Sequence, residues 1–589
     1  MGELVNLYLR GIEKEDIEEK AKFYDYIEIH PVSNYEDIEK SEEVEISDIV
    51  KEMNKYFYDL GKKLGKLVVA TGDVHYLEER ESINRSVLVL GSGMGRNSFS
   101  YDKKLYFRTT EEMINEFLYL GESVSYEVVV ENTNNINDII ENVRPIPKGF
   151  YPPKIDGAED EVREMSYKKL HELYGENIPS HLKERVEKEL NSIIGNGFAV
   201  LYLISQKLVK KSLDNGYLVG SRGSVGSSIV AYLMEITEVN GLYPHYRCPN
   251  CKNSEFTNLE GSGVDLPDKD CPICGTKYIK DGHAIPFEVF MGFDGDKVPD
   301  IDLNFSGEYQ GEIHKYTEQL FGSENVFRAG TIGTLAEKNA FGYVKKYFEK
   351  IEDTPEISKR KAEVMRIAKG CEGARKTTGQ HPGGMIVVPR DKSIYDFCPV
   401  QRPANDINAE SKTTHFDYHV MDEQLVKLDI LGHDDPTTLR ILQDLTGIDI
   451  YTIPLYDSKV MSIFNSTEAL GVTPEEIGSP VGSSGIPEFG TAFVKQMLVD
   501  TKPKTFAELV RISGLSHGTD VWINNAQEYI KMGEATLSDI ITVRDDIMNY
   551  LIDNGINKSL AFTIMEFVRK GQPTKNPEKW KEYADLMKE

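Results

Sequence analysis

The amino-acid sequence predicts a multidomain protein of mixed α/β and α+β class. Its 589 residues provide room for about three to five domains of ordinary size. Buried-strand patterns alternate with helical patterns near the N-terminus, two strand patterns carrying aspartates follow, and the chain is mostly helical after Pro436. The sequence contains no internal repeat and no low-complexity tract.

The N-terminal region alternates strand and helix patterns. Residues 26–30 and 67–71 are predicted to form buried strands, and residues 47–63 a helix between them that begins with a serine N-cap. The second strand is followed by Asp73 and His75, at the end of a strand where α/β barrels place their ligands. These two side chains are candidate metal ligands, and a metal-free structural remnant is the alternative.

Most later segments are predicted to be helical. Successive prolines within residues 145–153 predict a linker, because proline resists both helix and sheet. Apolar periodicity then predicts helices over residues 158–173, 180–195, 309–321, 335–350, 437–445, 487–498, 505–512 and 537–551.

A strand pattern over residues 298–305 carries the first candidate site. Alternation puts Asp300, Asp302 and Asn304 on one face and apolar side chains on the other. Two carboxylates held side by side suit a pair of divalent cations, which can activate an attacking oxygen and stabilise a leaving one in phosphoryl transfer. An edge strand with one wet face is the alternative for this motif alone.

A third carboxylate lies in a similar context. Over residues 425–432, alternation puts Lys427 and Asp429 on one face and apolar side chains on the other. A charged pair that faces out of an apolar strand is unfavourable when it is buried without a partner. A metal ion or a phosphate would be such a partner, and an edge strand is again the alternative.

A glycine- and serine-rich segment joins a short strand to a helix. Residues 218–228 (LVGSRGSVGSS) precede the apolar run 229–234, and glycines, hydroxyls and a helix N-terminus together favour an anion. The segment is neither a Walker A loop nor a dinucleotide fingerprint, because its spacing differs from both. We interpret it as a phosphate-binding turn, with a glycine turn that binds no ligand as the alternative.

The cysteines give an independent signal. They include two Cys-x-x-Cys pairs, Cys248 with Cys251 and Cys271 with Cys274. Four thiolates satisfy tetrahedral zinc, and each pair is spaced so that both sulfurs can reach one ion. With no open coordination position, the zinc would be structural and would hold a module over residues 244–282. Disulfides are the alternative, and reduced thiols are expected at the two remaining cysteines, Cys371 and Cys398.

Composition and charge point to a cytoplasmic protein with an uneven charge distribution. No apolar run is long enough to span a membrane, and the sequence opens with no signal peptide. The net charge of −28 is unusual for a protein that contacts nucleic-acid phosphates, but the charge is unevenly spread, with acidic runs at 13–19 and 36–45. Either DNA contact or a solvated helical face explains a basic stretch formed by Lys345, Lys346, Lys350, Lys359, Arg360, Lys361, Arg366, Lys369, Arg375 and Lys376.

Several long motifs occur together in one order. They are residues 220–224 (GSRGS), 299–305 (PDIDLNF), 378–384 (TGQHPGG), 427–436 (KLDILGHDDP), 466–472 (STEALGV) and 514–522 (GLSHGTDVW). By these motifs the chain resembles the bacterial replicative DNA polymerase III alpha subunit, in the PolC form of low-GC Gram-positive bacteria. The resemblance covers nearly the whole chain, and so many long motifs in family order exclude chance.

The resemblance implies a fold and a division into domains. The fold would contain a polymerase-beta-like nucleotidyltransferase palm with helical thumb and fingers and a zinc-ribbon insertion. The C-terminal half of a PHP-type (polymerase and histidinol phosphatase) α/β barrel would precede it. The implied boundaries are 1–143 for the PHP-like part, 144–307 and 371–435 for the palm, 308–370 for the thumb and 436–589 for incomplete fingers.

The resemblance also implies the ligands of the catalytic metals. Asp300, Asp302 and Asp429 would bind two Mg²⁺, with Lys427 close to the reacting phosphate. The nucleotide phosphates would contact a set formed by Gly220, Ser221, Arg222, Gly223, Ser224 and Arg544.

Other residues receive roles with explicit alternatives. Asp73 and His75 would be the PHP metal ligands. Arg569 and Lys570 are further basic candidates for the triphosphate, with helix-surface charge as the alternative. His381 is expected to line the palm, and a structural histidine is the alternative. DNA would be contacted by the thumb residues Lys345, Lys346, Lys359, Arg360, Arg375 and Lys376.

The implied activity is template-directed DNA synthesis, by two-metal transfer of a nucleotide to a primer 3′-hydroxyl with release of pyrophosphate. The implied partners are primed template DNA, deoxynucleoside triphosphates, the rest of the polymerase chain, the sliding clamp and the replisome. A catalytically incompetent fragment or split subunit is the alternative, because the family's later fingers, helix-hairpin-helix domain, clamp-binding region, first PHP half and exonuclease have no counterpart here. A zinc-ribbon protein unrelated to polymerases would leave the aspartates and the glycine turn unexplained.

Overall fold

A computed structural model shows how the chain is divided. It describes residues 2–35, 46–91, 104–259, 261–292, 298–350, 360–402, 408–409, 411–518 and 521–588. The chain forms two compact units, the first made of residues 1–147 and 331–379 and the second of residues 148–330 and 380–589. The interval 308–370 is therefore divided between the two units, and the domain boundaries given above remain predictions. The acidic run 36–45 lies outside the described residues.

The first unit contains a parallel pair of strands, β1 (Tyr26–Ile29) and β2 (Leu67–Ala70). The helix Ile46–Leu64 connects them, because parallel neighbours need a crossover. Its side chains Met53 and Phe57 share a buried cluster with Ile27, Ile29 and Val68. The two predicted strands and the helix between them are confirmed, but Ser47 lies inside the first helical turn and not at the N-cap.

A second hydrophobic cluster of this unit lies among three helices. Ser82–Gly91 packs against Glu337–Lys350 and Lys361–Cys371, and the buried side chains include Val87, Val344, Ile367 and Cys371. The predicted helix over 335–350 is confirmed, with its start at Glu337. The other helices of the unit are Glu3–Leu9, Lys14–Ala21, Thr110–Phe117, Glu122–Tyr126 and Asn132–Ile139.

Among the residues that the structure describes, ten further strands follow and form two sheets. They are β3 (Val219–Arg222), β4 (His245–Arg247), β5 (Ser254–Phe256), β6 (Ile279–Asp281), β7 (Asp302–Ser306), β8 (Val326–Thr334), β9 (Arg375–Val387), β10 (Val400–Gln401), β11 (Thr413–Asp417) and β12 (Val426–His433). The large sheet is mixed and has the order β10-β11-β8-β9-β12-β7-β3. Within it, β12 is parallel to β7 and antiparallel to β9, and β3 is antiparallel to β7.

One face of the large sheet is covered by helices. Leu303, Phe305, Leu428 and Ile430 belong to the same buried core as side chains of three helices, Ala158–Tyr174, Ser180–Gly195 and Ala199–Leu213. Side chains alternate along a strand, so the aspartates of β7 and β12 lie on the opposite face. The helices predicted over 158–173, 180–195 and 309–321 are confirmed, the last of them as Gln310–Phe321. Two short helices of the same unit are Ile229–Leu233 and Glu288–Met291.

The chain after β12 is mostly helical, as predicted, but the helix predicted over 487–498 begins only at Ala492. Its helices are Asp434–Thr446, Ser458–Ser462, Pro474–Ile477, Ala492–Thr501, Phe506–Ser516, Gln527–Met532, Arg544–Asp553, Lys558–Arg569, Gln572–Lys575 and Pro577–Leu586.

The helix predicted over 537–551 is wrong at its N-terminal end. It begins only at Arg544, because the Asp546 carboxylate accepts hydrogen bonds from the backbone amides of Thr542 (2.7 Å) and Val543 (3.2 Å) and so caps the helix there.

Across the described ranges, no individual helix combines the length and the apolar character needed to cross a membrane. Ser180–Gly195 and Ala199–Leu213 reach that threshold only as a pair, which is bent by 106°.

Candidate active site

Three carboxylates converge on the open face of the large sheet. Asp302 on β7 and Asp429 on β12 are direct neighbours across the two parallel strands. Asp300 lies in the segment just before β7 and is exposed. One carboxylate oxygen from each of the three aspartates lies within 4.8 Å of the other two. Strand pairing therefore joins two motifs that are more than a hundred residues apart in the sequence.

The electrostatics of this cluster favour a cation. Burial, followed by the charges of Asp300 and Asp429, raises the pKa of Asp302 to about 7. Lys427 Nζ lies 2.9 Å from Asp429 Oδ2 and compensates part of the charge. The buried Asp429 Oδ1 has no hydrogen-bond partner in the part of the chain that the structure describes. Clustered carboxylate oxygens, one of them without a partner, are the donor set that Mg²⁺ prefers.

His381 borders the same cluster. The segment 379–384 is part of strand β9. His381 Nδ1 accepts a hydrogen bond from the Gly384 amide at 2.7 Å and lies 3.7 Å from Asp429 Oδ1. Burial and then Lys427 lower the pKa of His381, so the ring is neutral at physiological pH.

The glycine- and serine-rich segment begins next to the carboxylates. Strand β3 pairs with β7 so that Arg222 is opposite Asp302 and Gly220 is opposite Asn304. Gly220 and Arg222 are exposed, and Ser221 Oγ is hydrogen bonded to Thr237 Oγ1 at 2.6 Å. The predicted order of strand, turn and helix is confirmed by β3, the 3-10 segment Gly223–Ser227 and the helix Ile229–Leu233.

The N-terminus of the helix Ile229–Leu233 is not free to bind an external anion. The interpretation of residues 218–228 as a phosphate-binding turn is therefore wrong for this part of the segment. Glu189 Oε2 accepts hydrogen bonds from Ser228 Oγ (2.9 Å) and from the Val230 amide (3.2 Å). The Glu189 side chain is fully buried and pairs with Arg185 at 2.5 Å. An internal carboxylate thus occupies the helix N-terminus, and only residues 220–224 remain available to bind a phosphate. No local pattern in the sequence marks Glu189 for this role.

The four paired cysteines form a second cluster. Their sulfur atoms lie within 4.8 Å of one another, in the segments that connect the strands of a small sheet of order β5-β4-β6. Backbone amides of Cys248 and Cys271 donate to the carbonyls of Asn253 and Thr276, both at 2.8 Å, which closes each Cys-x-x-Cys pair into a tight turn. Hydrogen bonds from Thr276 lower the pKa of Cys274 to about 5. Four converging thiols with one already acidic fit a divalent metal.

Asp73 and His75 lie together but form a smaller set. His75 Nε2 is 3.4 Å from Asp73 Oδ1, and both line a cavity of about 760 Å³ together with Glu28, His30 and Arg85. Among the described residues, no third ligand atom converges with these two to complete a metal-binding group. A metal ion at Asp73 and His75 therefore remains a prediction.

Arg544 is held by carboxylates of its own helical subdomain. Its guanidinium lies 3.3 Å from Glu566 and 3.8 Å from Asp545. Glu566 also pairs with Arg569 at 2.7 Å and with Lys570 at 3.9 Å. The three basic residues proposed for the triphosphate therefore meet at one glutamate, and their contact with a nucleotide remains a prediction.

The predicted DNA-binding residues lie in the first unit. Lys345 and Lys346 are exposed on Glu337–Lys350, while Arg375 and Lys376 are exposed at the start of β9. Arg360 is exposed at the start of the helix Lys361–Cys371. Lys359 lies outside the described residues.

Comparison with known proteins identifies related sequences for most of the chain. Residues 160–432 match the family model of the bacterial DNA polymerase III alpha NTPase domain, and residues 435–589 match that of the bacterial DNA polymerase III alpha subunit finger domain. The chain is 59% identical over 574 residues to the DNA polymerase III PolC-type of Clostridium perfringens, covering 97% of this chain and 39% of that protein. It is 58% identical over 562 residues to the Bacillus subtilis protein of the same name, covering 95% of this chain and 39% of that protein.

The fold and the site define a class: an α/β protein that presents three carboxylates and a glycine- and serine-rich turn on neighbouring strands. The chain belongs to the family of bacterial DNA polymerase III alpha subunits, in the PolC-type branch. It spans about two fifths of the length of the curated relatives that it matches.

Proposed function

We propose that this chain catalyses template-directed DNA synthesis, by transfer of a nucleotide from a deoxynucleoside triphosphate to a primer 3′-hydroxyl with release of pyrophosphate. The observation that carries the proposal is the convergence of Asp300, Asp302 and Asp429 within 4.8 Å, in a chain of the PolC-type family. The neighbouring Gly220–Ser224 turn supports it, because β3 places that turn beside Asp302.

The residues of the site have separate roles in this proposal. Asp300, Asp302 and Asp429 hold two Mg²⁺ ions. When bound, the two cations lower the pKa of the attacking hydroxyl and neutralise charge on the leaving group. Lys427 compensates the buried Asp429 carboxylate and adds positive charge near the reacting phosphate. Backbone amides and hydroxyls of residues 220–224 bind the phosphates that leave as pyrophosphate.

A structural zinc ion is part of the same proposal. The four thiols of Cys248, Cys251, Cys271 and Cys274, whose sulfur atoms lie within 4.8 Å of one another, would supply all four ligands of a tetrahedral zinc ion, so no coordination position would remain for a substrate. We expect one zinc ion per purified chain by elemental mass spectrometry and its loss in Cys274→Ser. Cys398→Ser, at a buried cysteine away from the cluster, is the matched control. Equal zinc content in both variants would contradict this assignment.

The remaining partners follow from the reaction. Primed template DNA is the second substrate, and the exposed Lys345, Lys346, Arg375 and Lys376 supply phosphate contacts. The reaction takes place in the cytoplasm, where the chain works with the rest of the polymerase, the sliding clamp and the replisome. The alternative function is a subunit that binds DNA or a partner chain and needs further polypeptide for activity.

Primer extension tests the proposal. The chain is incubated with primed DNA, Mg²⁺ and the four deoxynucleotides, beside a double variant Asp300→Asn, Asp302→Asn that keeps shape and removes charge. Asp391→Asn, on an exposed loop, is the control. Extension by the chain and the control but not by the double variant supports the proposal. No extension by any of them, with DNA binding intact, would support the alternative function.

A further inference from the structure

Arg328 on strand β8 makes contacts that the proposed mechanism does not use. Its Nη2 atom donates hydrogen bonds to the backbone carbonyls of His381 (3.1 Å) and Pro382 (2.7 Å). Its Nη1 atom lies 2.7 Å from Nδ1 of His314. Burial and Arg328 lower the pKa of His314 to about 4, so this ring is a neutral acceptor. The guanidinium is thus a multidentate donor to two consecutive peptide carbonyls.

Both carbonyls belong to the segment His381–Gly384, which is closely packed against its neighbours. Gln310 Nε2 donates to the same Pro382 carbonyl (3.3 Å) and to the Ile430 carbonyl on β12 (2.7 Å). The segment has no room for side chains at its glycines. A Cβ atom on Gly383 would lie 2.6 Å from the Ile430 carbonyl oxygen, and one on Gly384 would lie 2.8 Å from His381 Nδ1.

This packing fixes the tautomer of His381. The amides of Gly384 (2.7 Å) and Gly383 (3.3 Å) both donate to Nδ1, so Nδ1 is an acceptor and the ring proton is on Nε2. Gly384 is the direct neighbour of Asp429 across β9 and β12. In the described part of the chain Nε2 has no hydrogen-bond partner, so its N–H is available to a ligand.

We infer that Arg328 is a positioning residue of the aspartate site: it clamps the His381–Gly384 segment so that His381, whose Nδ1 lies 3.7 Å from Asp429 Oδ1, presents Nε2–H to a phosphate oxygen of the substrate. The inference rests on the proposed function for the identity of the ligand. The clamp itself rests only on contacts within the chain. Partners that orient groups next to metal ligands typically change affinity or activity about 10–100-fold when they are removed.

Two substitutions test the clamp. Arg328→Gln removes the charge and most donors, and Arg328→Lys keeps the charge but can serve only one carbonyl well. The matched control is Arg390→Gln, since Arg390 also donates to a backbone carbonyl, that of Leu320 at 3.3 Å, but not in this segment. If Arg328→Gln folds poorly, Arg328→Lys still tests the positioning role of Arg328.

The first readout is the tautomer of His381. The chain is labelled with ¹⁵N-histidine, and the His381 signal is assigned by its loss in His381→Gln. We expect a single Nε2–H tautomer in the unaltered chain and in the control, and a mixture of tautomers in both Arg328 variants. An unchanged His381 signal in the Arg328 variants would overturn the clamp. Equal changes in every histidine would overturn it as well, because they would show general loss of structure.

The second readout is kinetic. In primer extension we expect Arg328→Lys to reduce kcat about tenfold with less effect on the KM for deoxynucleotide. Normal extension by both Arg328 variants would overturn the positioning role. If the unaltered chain extends no primer and Asp302→Asn leaves Mn²⁺ binding unchanged, the proposed function fails. The tautomer measurement would still show whether Arg328 orients His381. Failure of the proposed function and failure of the positioning role are therefore distinguishable.

Discussion

The buried ion pair between Arg185 and Glu189 offers a direct test of how the glycine turn is supported. Glu189 is fully buried, while the Arg185 side chain is 23% exposed and lies 2.5 Å from it. Arg185 also donates to the Ser227 carbonyl at 2.9 Å, and Glu189 accepts from Ser228 and Val230. The pair therefore joins the helix Ser180–Gly195 to the end of the segment Gly223–Ser227.

The substitution Arg185→Met leaves the Glu189 carboxylate buried without its charge partner. Breaking a buried pair in this way costs about 3–5 kcal/mol, since the remaining charge keeps its desolvation penalty. Burial already raises the pKa of Glu189. A carboxyl whose pKa is raised in the folded state supports stability at low pH and loses that support as the pH rises. The destabilisation in the variant is therefore larger at pH 8 than at pH 5.

Hydrogen exchange of the peptide covering residues 223–234 measures the effect locally, which suits a chain made of two units. An opening free energy lowered by about 3 kcal/mol corresponds to exchange roughly a hundredfold faster. Arg163→Met is the matched control, because Arg163 pairs with Glu187 at 3.5 Å with both side chains about 40% exposed. Such a surface pair contributes no more than about 1 kcal/mol.

Two results would refute this reasoning. One is exchange in residues 223–234 that rises less than threefold, or about 0.7 kcal/mol, in Arg185→Met at pH 8. The other is an equal rise in the helix Ala492–Thr501, whose buried side chains belong to a separate hydrophobic cluster, because that would show general destabilisation and not loss of a local support.

Three further predictions concern other parts of the molecule. Asp265→Asn weakens the start of the helix Phe506–Ser516 by about 1 kcal/mol, because the carboxylate accepts hydrogen bonds from the amides of Phe506 (2.7 Å) and Ala507 (2.9 Å). We expect faster hydrogen exchange confined to that helix, and unchanged exchange would contradict this prediction. Asp545→Asn stabilises the helix Arg544–Asp553 at pH 7.5 but not at pH 4. Burial raises the pKa of Asp545 to about 6, so the folded state loses stability as pH rises through that value, by up to about 3 kcal/mol. Hydrogen exchange of that helix at pH 7.5 and pH 4 tests this prediction, and an equal effect of Asp545→Asn at both pH values would contradict it. Gly384→Ala weakens Mn²⁺ binding in calorimetry, because its Cβ would lie 2.8 Å from His381 Nδ1 and 2.9 Å from the Ala329 Cβ atom. Gly342→Ala, with nothing within 4 Å, leaves binding unchanged, and equal affinity in both variants would exclude the steric argument.

Much of the secondary structure and of the ligand sets was predictable from local pattern. Alternation along residues 302–305 assigned the faces of β7, because side chains on a strand alternate whatever its neighbours are. Periodicity located the helices Ala158–Tyr174 and Ser180–Gly195 within a residue of their observed ends. The Cys-x-x-Cys spacing identified the four thiols that the fold brings together. The start of the helix at Arg544 was missed, since a side-chain cap from Asp546 outweighs apolar periodicity in the turn before it.

The sequence by itself thus determined which residue types face out of each strand and which cysteines pair, since these are short-range properties of the chain. Tertiary structure decided that Asp302 neighbours Asp429 and that Arg222 is opposite Asp302, because strand order and register depend on long-range pairing. It also decided that Glu189, and not a ligand, occupies the helix N-terminus after the glycine turn. A buried donor must find a partner, and the nearest acceptor in space is one that no local pattern in the sequence identifies.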